Sequence, residues 1–228
     1  MCTSFTFRGE DILTAMNFDN NGMKFKISTS NPNQFIILAN GAPCFGVNSD
    51  GVFINHLVVD ANDKGQYRRG KNVVHTIKLI KDILGGKIKS DKINDYLDNK
   101  EVVNVPDYSA HCMITDSHGN SWAVEPGRGK VHSLADKEDY FVMTNFSLCD
   151  LKAGKEITDG YDRYLKVQTF LNDVKSLDVN NAFRILEATR QLGNWSTDFS
   201  MVYSKNENTV YYCYNGNFNN IERYSFGA

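Results

Sequence analysis

Met1-Cys2-Thr3-Ser4-Phe5-Thr6-Phe7-Arg8-Gly9-Glu10-Asp11-Ile12-Leu13-Thr14-Ala15-Met16-Asn17-Phe18-Asp19 opens the chain, and its reading decides the fold. Ser4 to Phe7 and Ile12 to Met16 alternate with period two, the spacing of strands that present one face to a core. Gly9-Glu10-Asp11 between them supplies turn chemistry, so a hairpin is expected. A cysteine stands directly behind the initiator methionine. Initiator methionine is generally removed when the next side chain is small, which leaves a thiol and a free α-amine on one residue. An α-amine titrates at about 7.7–8.0, so near neutrality a useful fraction is a base. A thiol beside an ammonium or a hydrogen-bond donor is lowered from its usual value near ~8.5. Nucleophile and general base would then arrive together on Cys2, and the same amine can later protonate a leaving group.

Outward from this hairpin, further strands are expected at Lys24 to Ser28, Phe35 to Leu38 and Val52 to Val59. Asn20-Asn21-Gly22, Asn31-Pro32-Asn33 and Asn48-Ser49-Asp50-Gly51 turn the chain between them. The period then changes. Val73, Ile77, Ile80 and Leu84 form one stripe of an amphipathic helix that carries His75, and Gly85-Gly86 is suited to end it. Ser90 to Leu97 reads as a second, short helix. Strands resume at His111 to Thr115, Trp122 to Glu125 and Phe141 to Thr144. Helices follow at Gly160 to Leu171 and at Val179 to Leu192, the latter closed by Gly193, and strands return at Ser200 to Tyr203, Val210 to Tyr214 and Arg223 to Phe226. Hairpins separated by helix pairs fit antiparallel sheets covered by helices, an α+β fold, and do not fit a regular βαβ alternation. No repeat or linker divides the chain, so one domain over 1–228 is expected.

The chain's 228 residues are 41% hydrophobic and 12% aromatic, enough for a substantial core and against wholesale disorder. A net charge of −2 provides no basic field for nucleic acid or acidic membrane surfaces. Lys64, Arg68, Arg69 and Lys71 form the one local basic cluster and read as a solvated loop. No run approaches the ~20 apolar residues of a membrane-spanning helix, and the N-terminus lacks a basic segment followed by an apolar one. A cytoplasmic location is therefore expected. The five cysteines form no CxxC pair and are expected as free thiols. His111, Cys112 and His118, or His56 with Asp60, have no recognised metal spacing, and strand alternation directs His111 and Cys112 to opposite faces, so no metal is expected. Tyr211 to Tyr214 read as strand packing, since no basic groove accompanies them.

The opening Met1-Cys2-Thr3 with the return strand Ala15-Met16-Asn17-Phe18-Asp19 resembles the choloylglycine hydrolase and penicillin V acylase family of N-terminal nucleophile hydrolases. That family opens with Met-Cys-Thr and returns along a strand ending in Gly-Arg-Asn-x-Asp. Asn48-Ser49-Asp50-Gly51-Val52 is similar to its Asn-Glu-Lys-Gly-Leu. His111 to Asp116 and Gly119 to Glu125 resemble its Ile-x-Asp-x-x-Gly-x-x-x-x-x-Glu hairpin. Val142-Met143-Thr144-Asn145 matches its Val-Met-Thr-Asn, Tyr161-Asp162-Arg163-Tyr164-Leu165 resembles its Ser-Arg-Phe helix opening, and Thr209-Val210-Tyr211-Tyr212 its late strand.

The resemblance implies a four-layer αββα fold with two stacked antiparallel sheets and a hydrolase acting on linear amide C–N bonds. Cys2 would be the nucleophile and Asp19 would hold its amine or thiol. Asn145 and a backbone N–H near Val58 would bind the oxyanion, and Arg163 would lie beside the nucleophile. No metal or organic cofactor is implied. The expected partner is a small-molecule amide such as an N-acyl amino acid, with no nucleic acid or membrane, and homo-oligomerisation is left open.

Two departures bear on specificity. Met16 stands where the family has Arg, preceded by Ala15 in place of Gly, which removes a fixed cation. Asn145 and Arg163 lie only eighteen positions apart, where bile-salt hydrolases carry a long insertion used in assembly. A steroid conjugate and that tetramer are therefore not expected. An acyltransferase on the same scaffold, or a binding protein that lost catalysis with the arginine, are the alternatives.

Overall fold

A computed structural model describes residues 1–227. The expected hairpin is present as β1 (Cys2–Arg8) and β2 (Ile12–Asp19), paired antiparallel from Cys2 opposite Phe18 to Arg8 opposite Ile12. Around it, β13 (Tyr140–Met143), β14 (Thr197–Ser204), β15 (Thr209–Tyr214) and β16 (Glu222–Ser225) complete a six-stranded antiparallel sheet in the order β13-β1-β2-β14-β15-β16. A second antiparallel sheet runs β12-β11-β10-β6-β5-β4-β3. Its strands are β3 (Phe25–Ser28), β4 (Gln34–Ala39), β5 (Ala42–Asn48), β6 (Phe53–Ile54), β10 (Ala110–Thr115), β11 (Ser121–Glu125) and β12 (Gly129–Ser133), and β7 (Leu57–Val58) also pairs with β10. The short β8 (Val73–His75) and β9 (Glu101–Val103) pair in parallel outside both sheets.

Strand alternation sorts side chains into layers. Met16 and Phe18 point into the gap between the sheets with Phe35, Phe45, Phe53, Met113, Phe199 and Met201. Phe5, Phe7, Leu13 and Ala15 point the other way, onto α4 (Tyr161–Leu171) and α5 (Val179–Ala188) through Val167, Leu171, Phe183 and Leu186. On the far face of the second sheet, Ile54, Cys112, Ile114 and Trp122 pack under α1 (Thr76–Leu84) and α2 (Ile93–Asn99) through Leu79, Ile80, Ile83 and Leu97. The result is helices, sheet, sheet, helices, the expected αββα order. Each fully buried Phe or Leu contributes roughly 1.5–3 kcal/mol of transfer free energy, so the two helix layers are held by their apolar stripes. Among the described residues no helix is long and apolar enough to cross a membrane.

Several local expectations are corrected. Val73 belongs to β8 and not to the helix, which begins at Thr76. His75 is that helix's N-cap, its Nδ1 accepting from Lys78 N at 3.2 Å. The Val52 to Val59 strand is interrupted at Asn55, whose side-chain oxygen accepts from Met113 N (2.8 Å) while its backbone N donates to Met113 O (3.0 Å). α5 stops at Ala188 because Thr189 turns its hydroxyl back to Ile185 O at 2.9 Å, and Gly193 starts a separate 3₁₀ turn. β5 carries Pro43 and Gly46 and no alternation, so it escapes a period-two reading. A Cβ on Gly46 would stand 2.3 Å from Phe35 O, so glycine is what lets β5 approach β4. β9, β12 and the one-turn α3 (Leu148–Lys152) have no periodic signal either.

Candidate active site at the N-terminal end of the first strand

Because Met16 and Phe18 face the sheet–sheet gap, the antiparallel register sends Cys2, opposite Phe18, into the same gap at the N-terminal end of β1. The Cys2 thiol is buried with Sγ 4.0 Å from Asp19 O. Cys2 N donates to Asn145 Oδ1 at 2.5 Å, and Cys2 O accepts from Arg163 Nη1 at 2.5 Å. Arg163 extends the same grip to Thr3 Oγ1 (2.9 Å) and to Asn145 Oδ1 (3.0 Å), and lies 3.8 Å from Asp19 Oδ2. Cys2, Asp19, Asn145 and Arg163 thus come together from β1, β2, the end of β13 and the first turn of α4.

Asp19 is asymmetric. Thr197 donates to Oδ1 at 2.5 Å, whereas Oδ2 is buried without a hydrogen-bond partner. Burial pushes this carboxyl up to about 7, against the pull of the Thr197 hydrogen bond and the Arg163 charge. Met1 covers the cluster: its amine donates to Asp19 O at 3.2 Å and its Sδ lies 3.9 Å from Arg163 Nη2. Burial lowers the Met1 amine, and with Met1 in place burial and the neighbouring Asp19 push the Cys2 thiol up to about 11. The thiol of the Met1-bearing chain is therefore almost entirely protonated near neutrality.

Val58 reaches the same place from the second sheet. Val59 N donates to Ser109 O at 3.2 Å, so the alternation of an antiparallel ladder turns the N–H and C=O of Val58 to the opposite edge of β7. On that edge Val58 O accepts from Asn145 Nδ2 at 2.8 Å. The Val58 N–H therefore lies on the same edge of β7 as the carbonyl that Asn145 contacts.

Three further residues support the cluster. Thr197 orders Asp19 from β14. Gly160, in the left-handed region (φ 78°), caps α4 where a Cβ would meet Arg163 Nη2 at 2.8 Å and Asn145 N at 3.2 Å. Glu125, fully buried, accepts from Leu148 N (2.7 Å), Cys149 N (3.0 Å) and the Ser147 hydroxyl, capping α3 directly after Asn145. Its period-two strand was legible, but its partners were not. Burial raises the Glu125 carboxyl, yet His111, Ser147 and the Cys149 N–H together bring it down to about 2. His111 has both ring nitrogens engaged, Nδ1 with Glu125 Oε1 (3.3 Å) and Nε2 with Thr144 O (2.8 Å). Cys112 faces the opposite helix layer and His118 sits in an exposed turn. The His56 ring packs at 5.2 Å from that of Tyr108 while Asp60 is exposed, and the Lys64 to Lys71 basic residues are exposed as well.

Two antiparallel sheets packed face to face between helix layers, with a cysteine at the end of the first strand in the gap, define the N-terminal nucleophile hydrolase-like fold. The sequence matches no protein-family model and no curated protein. Solved structures share the fold. A mutant of conjugated bile acid hydrolase from Clostridium perfringens superposes with a TM-score of 0.72 at 16% identity, covering 99% of this chain and 92% of the other. Penicillin V acylase from Agrobacterium tumefaciens gives 0.69 at 18% identity over 93% and 83% of the two chains. The Caenorhabditis elegans ortholog of N-acylethanolamine-hydrolyzing acid amidase gives 0.65 at 13% identity over 90% and 93%. At these identities the likeness is one of fold.

Proposed function

We propose that this protein is a cysteine amidohydrolase that cleaves a linear, non-peptide amide, such as an N-acyl amino acid or small acyl-amide, through a Cys2 acyl-enzyme. The observation that carries this reading is the convergence of Asp19, Asn145 and Arg163 on Cys2 at the N-terminal end of β1. The amide-hydrolase names of its structural neighbours support it.

Removal of Met1 turns the Cys2 N–H into an α-amine and frees the Asp19 carbonyl that the Met1 amine held, beside Asp19 Oδ2, the carboxylate oxygen left without a partner. The neutral amine takes the Sγ proton while sulfur bonds to the amide carbon. The carbonyl electron pair moves to oxygen, held by the Val58 N–H and Asn145 Nδ2. As the oxyanion collapses, the C–N bond breaks and the ammonium returns its proton to the departing amine. Water then attacks the thioester, giving a proton to the Cys2 amine, and the acid leaves with the thiol restored. No cofactor enters these steps. Arg163 supplies positive charge at the cluster where the family's other arginine is replaced by Met16, itself fully buried in the apolar gap. The cavity beside Asn145 has a volume of about 210 Å³ and includes Arg128, Lys155, Asp150 and Asp159 in its lining.

The test is an intact mass of the protein purified from cells, before and after stoichiometric iodoacetamide, followed by hydrolysis of a panel of N-acyl amino acids. The expected result is a mass one methionine lower, a single fast label on Cys2, and turnover that Cys2→Ala abolishes. Full turnover in Cys2→Ala would overturn the reading. The buried Met16 favours one second reading, a binding protein on this scaffold, which predicts ligand binding without turnover. An acyltransferase is distinguished by an amine acceptor that outcompetes water.

A further inference from the structure

β10 touches Val58 and the residue that precedes Asn145. Its Ala110 is the ladder partner of Val58, and its His111 donates through Nε2 to the carbonyl of Thr144, the residue before Asn145. The other His111 nitrogen, Nδ1, faces Glu125 Oε1 on the neighbouring β11. Glu125 in turn holds the far side of the Asn145 turn through Ser147, Leu148 and Cys149. Both side chains are inaccessible to solvent, at 0% and 1% exposure. A buried carboxylate or imidazole is costly without compensating bonds, and here both ring nitrogens and both carboxylate oxygens have partners. Both partners of the imidazole are acceptors, so each ring nitrogen is placed to donate.

We propose that His111 and Glu125 form a positioning pair that sets Asn145 against Val58. The pair clamps residues 144–149 from both sides while the strand carrying His111 fixes Val58 by its ladder. The inference rests on the amidase reading and assigns the pair no contact with substrate. Without it, the backbone at Asn145 loses the Thr144 anchor on one side and the Glu125 cap on the other. The two donors then drift relative to the developing oxyanion, and a displacement of about 1 Å is enough to cost ~100-fold in rate.

The experiment compares two reactions of Cys2 in Met1-free protein. Acylation by p-nitrophenyl acetate, read as a p-nitrophenolate burst, builds an oxyanion, whereas alkylation by iodoacetamide does not. Glu125→Gln and His111→Gln should each lower the acylation rate by ~100-fold and leave alkylation within about twofold. A purely structural pair would lower both rates together, and that result overturns the proposal, as does acylation unchanged in both variants. Absence of a Cys2 burst in the wild-type protein would instead sink the amidase reading. The wild-type chain also tests the pair directly, whatever the variants do: ¹H–¹⁵N spectra should show both His111 ring nitrogens protonated, and a neutral His111 tautomer would overturn it.

Discussion

The two ends of β1 each bury an arginine, and the two arginines are used differently. At the far end Arg8 spends its donors on Gly119 O (2.6 Å), Glu138 O (2.7 Å), Ser121 Oγ (3.0 Å) and Ser133 O (3.4 Å). All four are uncharged acceptors from loops and strands of the second sheet side, so Arg8 works as a staple between layers. At the near end Arg163 bonds the carbonyl of Cys2 and the side chains of Thr3 and Asn145, and faces an Asp19 oxygen that has no partner. A left-handed glycine sits beside each: Gly119 (φ 87°) near Arg8 and Gly160 (φ 78°) against Arg163. A buried arginine whose acceptors are all backbone or hydroxyl holds a fold. Arg163 instead shares the Asn145 oxygen with Cys2 N and faces an incompletely satisfied carboxylate, the surroundings that the proposed chemistry at Cys2 would use.

The largest effect that would break this comparison comes from exchanging each arginine for methionine. Arg163→Met is expected to lower Cys2 acylation by roughly 10³-fold, the scale of losing a key electrostatic donor. Arg8→Met is expected to cost about 3 kcal/mol of unfolding free energy in urea, through its stranded acceptors, with acylation per folded molecule unchanged. Equal catalytic losses in the two variants would erase the distinction.

Asp19 sharpens the comparison through pH. Its folded-state value is raised to about 7 from 3.8, mainly by burial. The folded chain therefore binds more protons than the unfolded one between about pH 4 and 7. The stability this group contributes is fully present below pH 4 and is lost as pH rises through 7. In protein retaining Met1, Asp19→Asn should remove on the order of 3 kcal/mol of that decline between pH 4 and 8, measured as the difference between wild-type and variant urea midpoints. A variant with the wild-type slope would mean that the carboxylate is already satisfied.

The smallest expected effects separate the glycines. Gly160→Ala and Gly119→Ala each force an alanine into the left-handed region, at ~1–2 kcal/mol. Only Gly160→Ala also drives a methyl to 2.8 Å from Arg163 Nη2, against 3.5 Å from Arg8 Cγ for Gly119. Acylation should fall about tenfold in Gly160→Ala and stay unchanged in Gly119→Ala, read by the same p-nitrophenolate burst.

Elements with a clean period were legible from residues alone. β1 and β2 alternate because one face packs on helices and the other on a sheet, and α1 keeps its stripe because only one face is covered. β5 was not legible, since it is buried throughout and its Gly46 is a response to the approach of β4. Val73 matched the helical stripe by spacing, but β9 recruited it into a parallel pair. At the site, the ordered motifs pointed to Cys2, Asp19, Asn145, Arg163 and Val58, whereas Thr197 had nothing local to distinguish it and His111, weighed only as a metal ligand and as part of a hairpin, showed no sign of its partners. Their roles are partnerships with Asp19 and with Thr144 O, contacts made across 178 and 33 positions of chain.

What the sequence by itself determined is chemical and local: a thiol that removal of Met1 would place on the first residue, a hairpin to hold it at a strand end, and apolar periods that fit antiparallel sheets covered by helices. These follow from bonded neighbours and from which side chains leave water. The tertiary structure alone decided which polar groups meet once water is gone. It left Asp19 Oδ2 unpaired, split two similar arginines into a staple and a site, and joined His111 to Glu125 beneath Asn145. Desolvation and hydrogen bonding act over a few ångströms of space and are indifferent to separation along the chain, so they appear only when the layers close.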